Sequence, residues 1–304
     1  MKRRDIPLVC VLGILALTAA AVLLGAARHY LENRTTGTIA VSGITRPYIL
    51  HVPERYDPSK PAALVISMHG AMNWPAFQMR VSGWNRLADE EGFIVAYPAG
   101  EGAGLAVWHM RGRTAEGMPD VVFISQLIDK LRATYDIDPA RIYANGLSNG
   151  AGMSFALSCR MSERIAAVGL VAAAHLVPWE WCADTKPVPV IAFHGTADTF
   201  TPYHGGKVWI GPEPFPSIPK WTANWARRNR CASNAVESAS ATNVTKLEYT
   251  GCADDASVVL YTIRNGGHTW PGGLQLSEWM FGETSRDIDA TRVMWKFYQE
   301  HPLR

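Results

Sequence analysis

The chain has 304 residues, of which 48% are hydrophobic and 18% charged, and these values indicate a globular protein with one substantial core. Lysine and arginine number 29 against 27 aspartates and glutamates, for a formal net charge of +2. This near balance, without a long run of like charge, excludes an electrostatic argument for nucleic acid as a partner.

The first 30 residues differ from the rest, because Lys2, Arg3 and Arg4 precede an apolar stretch over residues 6–27. This pattern predicts an export segment. The stretch is longer than the roughly 7–15 apolar residues of a signal peptide and close to the about 20 of a membrane-spanning helix. We therefore expect either a signal peptide or an uncleaved N-terminal membrane anchor, with the rest of the chain secreted or periplasmic.

Cysteine usage agrees with export. Cys10 lies in the leader, and the other four cysteines form an even set, namely Cys159, Cys182, Cys231 and Cys252. Three pairings are possible. Because short loops close most easily, the sequence favours the sequential pairing of Cys159 with Cys182 and of Cys231 with Cys252.

Residues 36–304 are predicted to form one domain in which strands and helices alternate. The predicted strands are Thr38 to Ser42, Tyr48 to Val52, Ala63 to Met68, Phe93 to Tyr97, Ile142 to Ala144, Ala166 to Ala174, Val188 to Phe193 and Val258 to Ile263. The predicted helices are Ala76 to Glu91, Val121 to Tyr135, Ala151 to Met161 and Ile288 to Glu300. The first two strands read as an antiparallel pair. The later alternation predicts an α/β fold, with a mostly parallel central sheet and helices on both faces.

A GxSxG motif lies between a predicted strand and a predicted helix, with Ser148 at its centre and Gly146 and Gly150 on either side. This context is that of the nucleophile elbow of the α/β-hydrolase fold, where a tight turn holds the serine hydroxyl clear of the backbone. The helix that begins there also points free N–H groups at an oxygen that becomes negative. The motif therefore predicts Ser148 as a nucleophile.

A serine nucleophile needs a base, and in this fold the order along the chain is serine, acid, histidine. His268 lies in a glycine-rich loop just beyond a predicted strand, which makes it the best-placed base. The other histidines after Ser148 are His175, His194, His204 and His301. Each of these precedes the best acid candidate, follows it too closely or lies at the end of the chain.

The acid is predicted to be Asp198, which directly follows the strand predicted to end at Phe193. Asp254 and Asp255 are the alternatives, but they precede a strand instead of following one.

The oxyanion donors are predicted to be backbone N–H groups. One belongs to Asn149, next to the serine, and the second to the His-Gly turn after the first buried strand, at Ala71 or Gly70. His69, in the same turn, is expected to brace the loop by hydrogen bonding and to take no part in proton transfer.

These residues, in this order, resemble the esterase family of polyhydroxybutyrate depolymerases, feruloyl esterases and related carbohydrate esterases. The resemblance covers about residues 36–300 and rests on six motifs: the His-Gly turn at 69–70, Tyr-Pro at 97–98 with Gly100, Asp-Val at 120–121, GLSNG at 146–150, HGTAD at 194–198 and GGHTWPGG at 266–273. It implies hydrolysis of carboxylic esters through an acyl-enzyme, without a metal or organic cofactor.

The expected substrates are small or oligomeric esters of the hydroxyalkanoate, feruloyl or acetyl type. Larger secreted depolymerases carry an additional polymer-binding module, for which we expect no room in these 304 residues, so small or soluble esters are favoured over crystalline polymer. Trp270 beside the base and Trp74 after the oxyanion loop are candidate contacts for an acyl or aryl group.

Three alternative functions share features with this sequence. A dinucleotide-binding oxidoreductase is disfavoured because its glycine motif would have to precede the Tyr56 and Lys60 pair, and Pro58 lies between those two residues. An acyltransferase of the same fold, which passes the acyl group to an alcohol, cannot be distinguished from a hydrolase by sequence. A non-catalytic binding protein would keep the fold without turnover. The sequence contains no zinc-binding motif such as HExxH or a CxxC pair.

Overall fold

A ten-stranded sheet organises the part of the chain described by the computed structural model, which comprises residues 34–102, 106–110, 118–182, 185–208, 214–232 and 235–304. The predicted export segment, with Cys10, lies outside the described residues. From Thr36 to Arg304 the chain packs as one compact unit. Within the described residues, no helix is both long and apolar enough to cross a bilayer.

The strands of this sheet are β1 Gly37–Val41, β2 Ile44–His51, β3 Ala62–Met68, β4 Ile94–Pro98, β5 Ile137–Leu147, β6 Ala167–Val171, β7 Val190–Gly195, β8 Val236–Ala241, β9 Val244–Tyr249 and β10 Val258–Ile263. Their spatial order is β1-β2-β4-β3-β5-β6-β7-β10-β9-β8. The six central strands, from β4 to β10 in this order, pair in parallel. The outer strands pair antiparallel. The sheet is thus mostly parallel, as predicted.

Seven α-helices flank the sheet among the described residues. They are α1 Pro75–Ser82, α2 Trp84–Glu91, α3 Pro119–Arg132, α4 Asn149–Arg160, α5 Ile218–Arg228, α6 Glu278–Phe281 and α7 Ala290–Glu300.

The sheet is covered on both faces because alternate residues of a central strand point to opposite sides. In β3, Leu64 and Ile66 belong to the core cluster that α3, α4 and α5 complete. Ala63 and Val65 belong to the cluster formed with α1, α2 and α7. All seven residues of β3 are buried, which explains why this strand reads as an unbroken apolar run in the sequence.

The structure corrects one predicted element. The helix expected from Ala76 to Glu91 is two helices separated by Gly83, whose φ of 66° ends α1 and begins α2. A residue in the left-handed region interrupts the helical hydrogen bonds, and glycine adopts this conformation at little cost. The apolar spacing continues across the break, so the periodicity alone did not reveal it.

Two disulfide bonds join Cys159 to Cys182 and Cys231 to Cys252. The first connects the end of α4 to a short 3-10 helix before β7. The second connects the segment after α5 to the turn that follows β9. These are the two bonds of the predicted sequential pairing, and each closes a short segment of chain. Disulfide bonds are typical of exported proteins.

Candidate active site

Ser148 lies in the turn between β5 and α4 with φ 56° and ψ −115°. A positive φ is strained for a residue that carries a side chain, and in this turn it lifts the serine out of the line of strand and helix. Backbone hydrogen bonds maintain the strain: the Ser148 N–H donates to the carbonyl of Val171, and the N–H of Ala174 donates to the Ser148 carbonyl at 3.1 Å. The end of β6 therefore holds the serine in place.

The glycines on either side of Ser148 are required by close approach. A Cβ at Gly146 would lie 2.4 Å from the backbone of Gly150, and a Cβ at Gly150 would lie 2.2 Å from the carbonyl oxygen of Met68. Real Cβ atoms do not approach other atoms this closely. The GxSxG pattern thus records how tightly α4 packs against β5 and β3.

Asp198 and His268 form a buried pair at the same edge of the sheet. Asp198 follows β7, His268 follows β10, and the His268 Nδ1 atom lies 2.8 Å from the Asp198 Oδ2 atom. Burial acts to raise the pKa of Asp198, but the charge and hydrogen bond of His268, with smaller contributions from nearby groups, outweigh it and hold that pKa below its usual value. Asp198 is therefore ionised and bonded to His268 through Nδ1, and no hydrogen bond of His268 Nε2 is found among the described residues.

Thr201 and His194 also surround the carboxylate, and the sequence did not predict this role for either. The Thr201 hydroxyl donates to Asp198 Oδ2 at 2.9 Å, and its N–H donates to Oδ1 at 2.8 Å. His194 donates from Nε2 to the Thr201 carbonyl at 2.7 Å and lies 3.5 Å from Asp198 Oδ2. Burial lowers the pKa of His194, which keeps this ring neutral. The position of Thr201, three residues after a turn aspartate, was the available sequence signal.

Ser148 and the Asp198–His268 pair follow the carboxyl ends of β5, β7 and β10, which lie in one parallel block of the sheet. The end of β6 contacts both parts of the site. The Val171 carbonyl accepts from the Ser148 N–H, and the Ala172 carbonyl oxygen lies 3.2 Å from the hydroxyl of Thr201, which bonds Asp198. Among the described residues, the His268 side chain is hydrogen bonded to Asp198 and Thr201 and makes no hydrogen bond to the Ser148 hydroxyl. Catalytic hydrogen bonds are often long in the absence of substrate.

The loop after β3 passes directly beside the serine. A Cβ built on Gly70 would lie 3.5 Å from the Cβ of Ser148. The N–H groups of Gly70 and Ala71 donate to no described residue, and Asn149 is the first residue of α4, where N–H groups have no partner within the helix. Gly70 lies beside the serine and Asn149 follows it, so N–H groups without a partner among the described residues are present on both sides of Ser148.

His69 braces this loop. Its Nδ1 atom donates to the Gly70 carbonyl at 2.7 Å, and its Nε2 atom accepts from the Gly100 N–H at 2.9 Å. Burial lowers the pKa of His69 to about 4, so the ring is neutral at physiological pH. Both ring nitrogens are occupied, which leaves His69 with no capacity for proton transfer to a substrate.

The two candidate tryptophans differ in position. Trp270 is fully buried in the core, and its indole N–H donates to the Thr291 hydroxyl at 2.9 Å. A substrate could reach it only if this packing opened, so the structure places Trp270 in the core and not in an open pocket. Trp74 is half-buried at the start of α1, beside the loop that carries Ala71.

The alternative acids lie away from this edge. Asp254 and Asp255 are exposed in the turn before β10, at the amino end of that strand, and Asp255 pairs with Arg304. His301 bonds the Phe297 carbonyl and Ser257. Among the described residues, no three His, Cys, Asp or Glu side chains are grouped so as to hold a metal ion.

Comparison with known proteins identifies the family of this chain. The family model "Esterase PHB depolymerase" matches residues 48–178. "Putative esterase NocK" of Nocardia uniformis subsp. tsuyamanensis is 30% identical over 265 residues, which cover 79% of this chain and 74% of that protein. Feruloyl esterase B of Piromyces equi is 30% identical over 230 residues, or 73% of this chain and 42% of that protein.

The chain spans only part of some relatives. It covers 22% of the bifunctional acetylxylan esterase/xylanase XynS20E of Neocallimastix patriciarum, with 31% identity over 161 residues. Among solved structures, the acetyl xylan esterase from Aspergillus awamori superposes on this chain with a TM-score of 0.61 at 14% sequence identity. The superposition covers 86% of this chain and 98% of that one. This likeness confirms the predicted α/β-hydrolase fold.

Proposed function

Since the chain belongs to the esterase family of polyhydroxybutyrate depolymerases and feruloyl esterases, we propose that it is an exported serine hydrolase of carboxylic esters. One observation carries the proposal: the buried Asp198–His268 pair, 2.8 Å apart, at the same sheet edge as a serine held in a strained turn. Family membership alone would not specify the residues, whereas this arrangement supplies an acid, a base and a nucleophile in the order that the fold uses.

In this proposal Ser148 is the nucleophile. Its hydroxyl oxygen attacks the ester carbonyl carbon while His268 Nε2 takes the proton, and Asp198 stabilises the imidazolium that results. The negative oxygen of the tetrahedral intermediate accepts hydrogen bonds from the N–H groups of Asn149 and of Gly70 or Ala71.

The intermediate then collapses. The bond to the alcohol oxygen breaks, His268 returns the proton to that oxygen, and the alcohol leaves an acyl group on Ser148. Water then attacks the acyl carbon while His268 takes a proton from it. The bond from that carbon to the Ser148 oxygen breaks, His268 returns the proton to this oxygen, and the carboxylic acid leaves. The cycle is balanced without a metal or cofactor.

We propose small or oligomeric esters of the hydroxyalkanoate, feruloyl or acetyl type as substrates. Among the relatives are a feruloyl esterase and an acetylxylan esterase. The loop that passes Ser148 at Gly70 also carries the exposed Met72 and the half-buried Trp74, which could contact an apolar acyl group. Export, with the N-terminal segment as signal peptide or anchor, is supported by the two disulfide bonds.

The test is hydrolysis by the full chain of short-chain nitrophenyl esters, methyl ferulate and hydroxybutyrate oligomers, compared with Ser148→Ala. We expect turnover of at least one ester and a loss of roughly a thousandfold or more in the variant. Ser238→Ala, which changes an exposed serine of edge strand β8, is the control and should keep full activity. Equal rates for the wild type and Ser148→Ala would refute the proposal.

A further inference from the structure

Each of the two peptide groups before the proposed oxyanion donors is held by a ring N–H. The carbonyl of His69 accepts a hydrogen bond from the Trp108 indole N–H at 2.9 Å, and the carbonyl of Gly70 accepts one from His69 Nδ1 at 2.7 Å. A trans peptide group is planar, with its C=O and N–H pointing in opposite directions. A donor that fixes the carbonyl of His69 therefore fixes the direction of the N–H of Gly70, and the bond to Gly70 fixes the N–H of Ala71.

Trp108 belongs to residues 106–110, a described segment that we call the strap. The strap contacts both sources of oxyanion donors. The side-chain amide of Asn149 accepts from the Trp108 N–H at 2.7 Å and donates to the Trp108 carbonyl at 3.3 Å, and the N–H of Met72 donates to the Ala106 carbonyl at 2.8 Å. One short piece of chain thus sets the loop after β3 relative to the start of α4.

The strap is in turn anchored by a buried ion pair. The N–H of His109 donates to Asp120 Oδ2 at 2.6 Å, and Asp120 Oδ1 lies 2.6 Å from the guanidinium of Arg46. Both charged side chains are buried, and the Arg46 guanidinium lies 6.0 Å from the centre of the Trp108 ring. Removal of one partner from a buried ion pair is costly because the other charge is left uncompensated, so this pair resists separation and suits a role in fixing the strap.

We infer that Trp108 is a positioning residue of the oxyanion site, acting through the carbonyl of His69 on the N–H of Gly70. The indole touches neither substrate nor nucleophile. It keeps the donor aligned before the negative charge develops, and this alignment is where oxyanion stabilisation originates. The inference rests on the proposed function and names a residue that the sequence motifs did not include.

The test is Trp108→Phe, which keeps an aromatic ring at this buried site and removes the indole N–H. Loss of a whole oxyanion donor costs about a hundredfold to a thousandfold in kcat, and misalignment of one donor should cost less, about tenfold. We expect kcat to fall by about this factor with KM changed less than about twofold, because the donor acts on the transition state and not on the bound ester.

A second measurement is independent of the substrate's identity. A fluorophosphonate reacts with an activated serine: the Ser148 oxygen forms a bond to phosphorus, fluoride leaves, and His268 takes the serine proton. The phosphoryl oxygen occupies the oxyanion site, so the labelling rate of Ser148, followed by mass spectrometry, should also fall about tenfold in Trp108→Phe.

Trp225→Phe is the matched control. Trp225 is also fully buried and also donates its indole N–H to a backbone carbonyl, that of Val188 at 3.0 Å. That carbonyl precedes β7, at the edge of the sheet opposite Ser148, so this variant should lose stability without a specific loss of kcat. If Trp108→Phe does not fold, replacement of Trp108 by benzothienylalanine, which keeps the shape and lacks the N–H, provides the same comparison.

The outcomes separate the two proposals. If the wild type is not labelled at Ser148 and hydrolyses no ester, the proposed function fails, and this inference fails with it. If the wild type is labelled and folded Trp108 variants react at the wild-type rate, or lose activity through KM alone, only the inference about Trp108 is overturned. A loss of kcat and labelling rate in the Trp108 variants, without one in Trp225→Phe, supports it.

Discussion

Thr201→Val tests the environment of the candidate acid most directly. Valine keeps the size of threonine and removes the hydroxyl that donates to Asp198 Oδ2 at 2.9 Å. The carboxylate would keep its bonds to His268 and to the N–H groups of Phe200 and Thr201. One of the four donors to a buried charge is lost, and the other three remain.

The magnitude follows from the kind of bond. A hydrogen bond to a charged group contributes about 1.5–3 kcal/mol, so we expect Thr201→Val to lower the free energy of unfolding by about 2 kcal/mol at neutral pH. The pKa of folded Asp198 lies below its usual value. Its contribution to stability is therefore present above the unfolded value of about 4 and is lost as the pH falls through the folded pKa. Valine raises the folded pKa, so the two proteins should converge in stability below about pH 4.

The assay is urea unfolding at several pH values from neutral to acidic, together with kcat for any ester that the wild type hydrolyses. Thr201→Ser restores the hydroxyl and should recover most of the lost stability and kcat. Thr222→Val is the control, because the buried Thr222 hydroxyl bonds the Ile218 carbonyl within α5 and no other described residue. The reasoning is wrong if Thr201→Val and Thr222→Val lose the same stability at every pH.

Three further predictions concern the rest of the fold. Cys231→Ser should open the bridge to Cys252 and lower the free energy of unfolding by about 3 kcal/mol, measured against wild type under non-reducing conditions. Asp120→Asn should leave Arg46 buried without its carboxylate and cost about 3–5 kcal/mol in thermal or chemical unfolding, and a smaller cost would show that the guanidinium finds water. His69→Asn should reduce the rise of stability with pH between about 4 and 6.5, since the lowered pKa of His69 makes the unfolded chain bind more protons there. An unchanged pH dependence would contradict this.

The central strands were readable from the sequence because burial on both faces demands unbroken apolar runs. The outer hairpin β8–β9 was not predicted, since nearly all of β8 is exposed and its residues, VESASA, show no apolar alternation. Helix α5 was missed for a related reason. Ile218, Trp221 and Trp225 do have the spacing of one helix face, but this apolar pattern extends over only two turns and leads directly into Arg227 and Arg228. Contact of the two tryptophans with Phe155 of α4 makes them core residues.

The candidate site divides in the same way. Ser148, Asp198 and His268 could be proposed from the sequence because strand ends, glycine motifs and chain order are local properties. The roles of Thr201, His194 and Trp108 could not, because each role is a hydrogen bond that forms only in the folded chain. Trp108 lies 39 residues from the carbonyl that it bonds. No local pattern distinguishes such a tryptophan from the ten others in this chain.

The sequence by itself therefore determined the fold class and the residue types that can perform the chemistry. Apolar periodicity and the glycines Gly146 and Gly150 are visible within a few residues of sequence. The order of the motifs is visible along the chain. Only the tertiary structure decided which side chains surround the carboxylate of Asp198 and which ring holds the peptide before Gly70. Trp108 lies far along the chain from the His69 carbonyl that it bonds. Thr201 is only three residues from Asp198, but its hydroxyl also contacts the carbonyl of Ala172, 29 residues away, after β6. These contacts form only when the strands of the sheet are assembled.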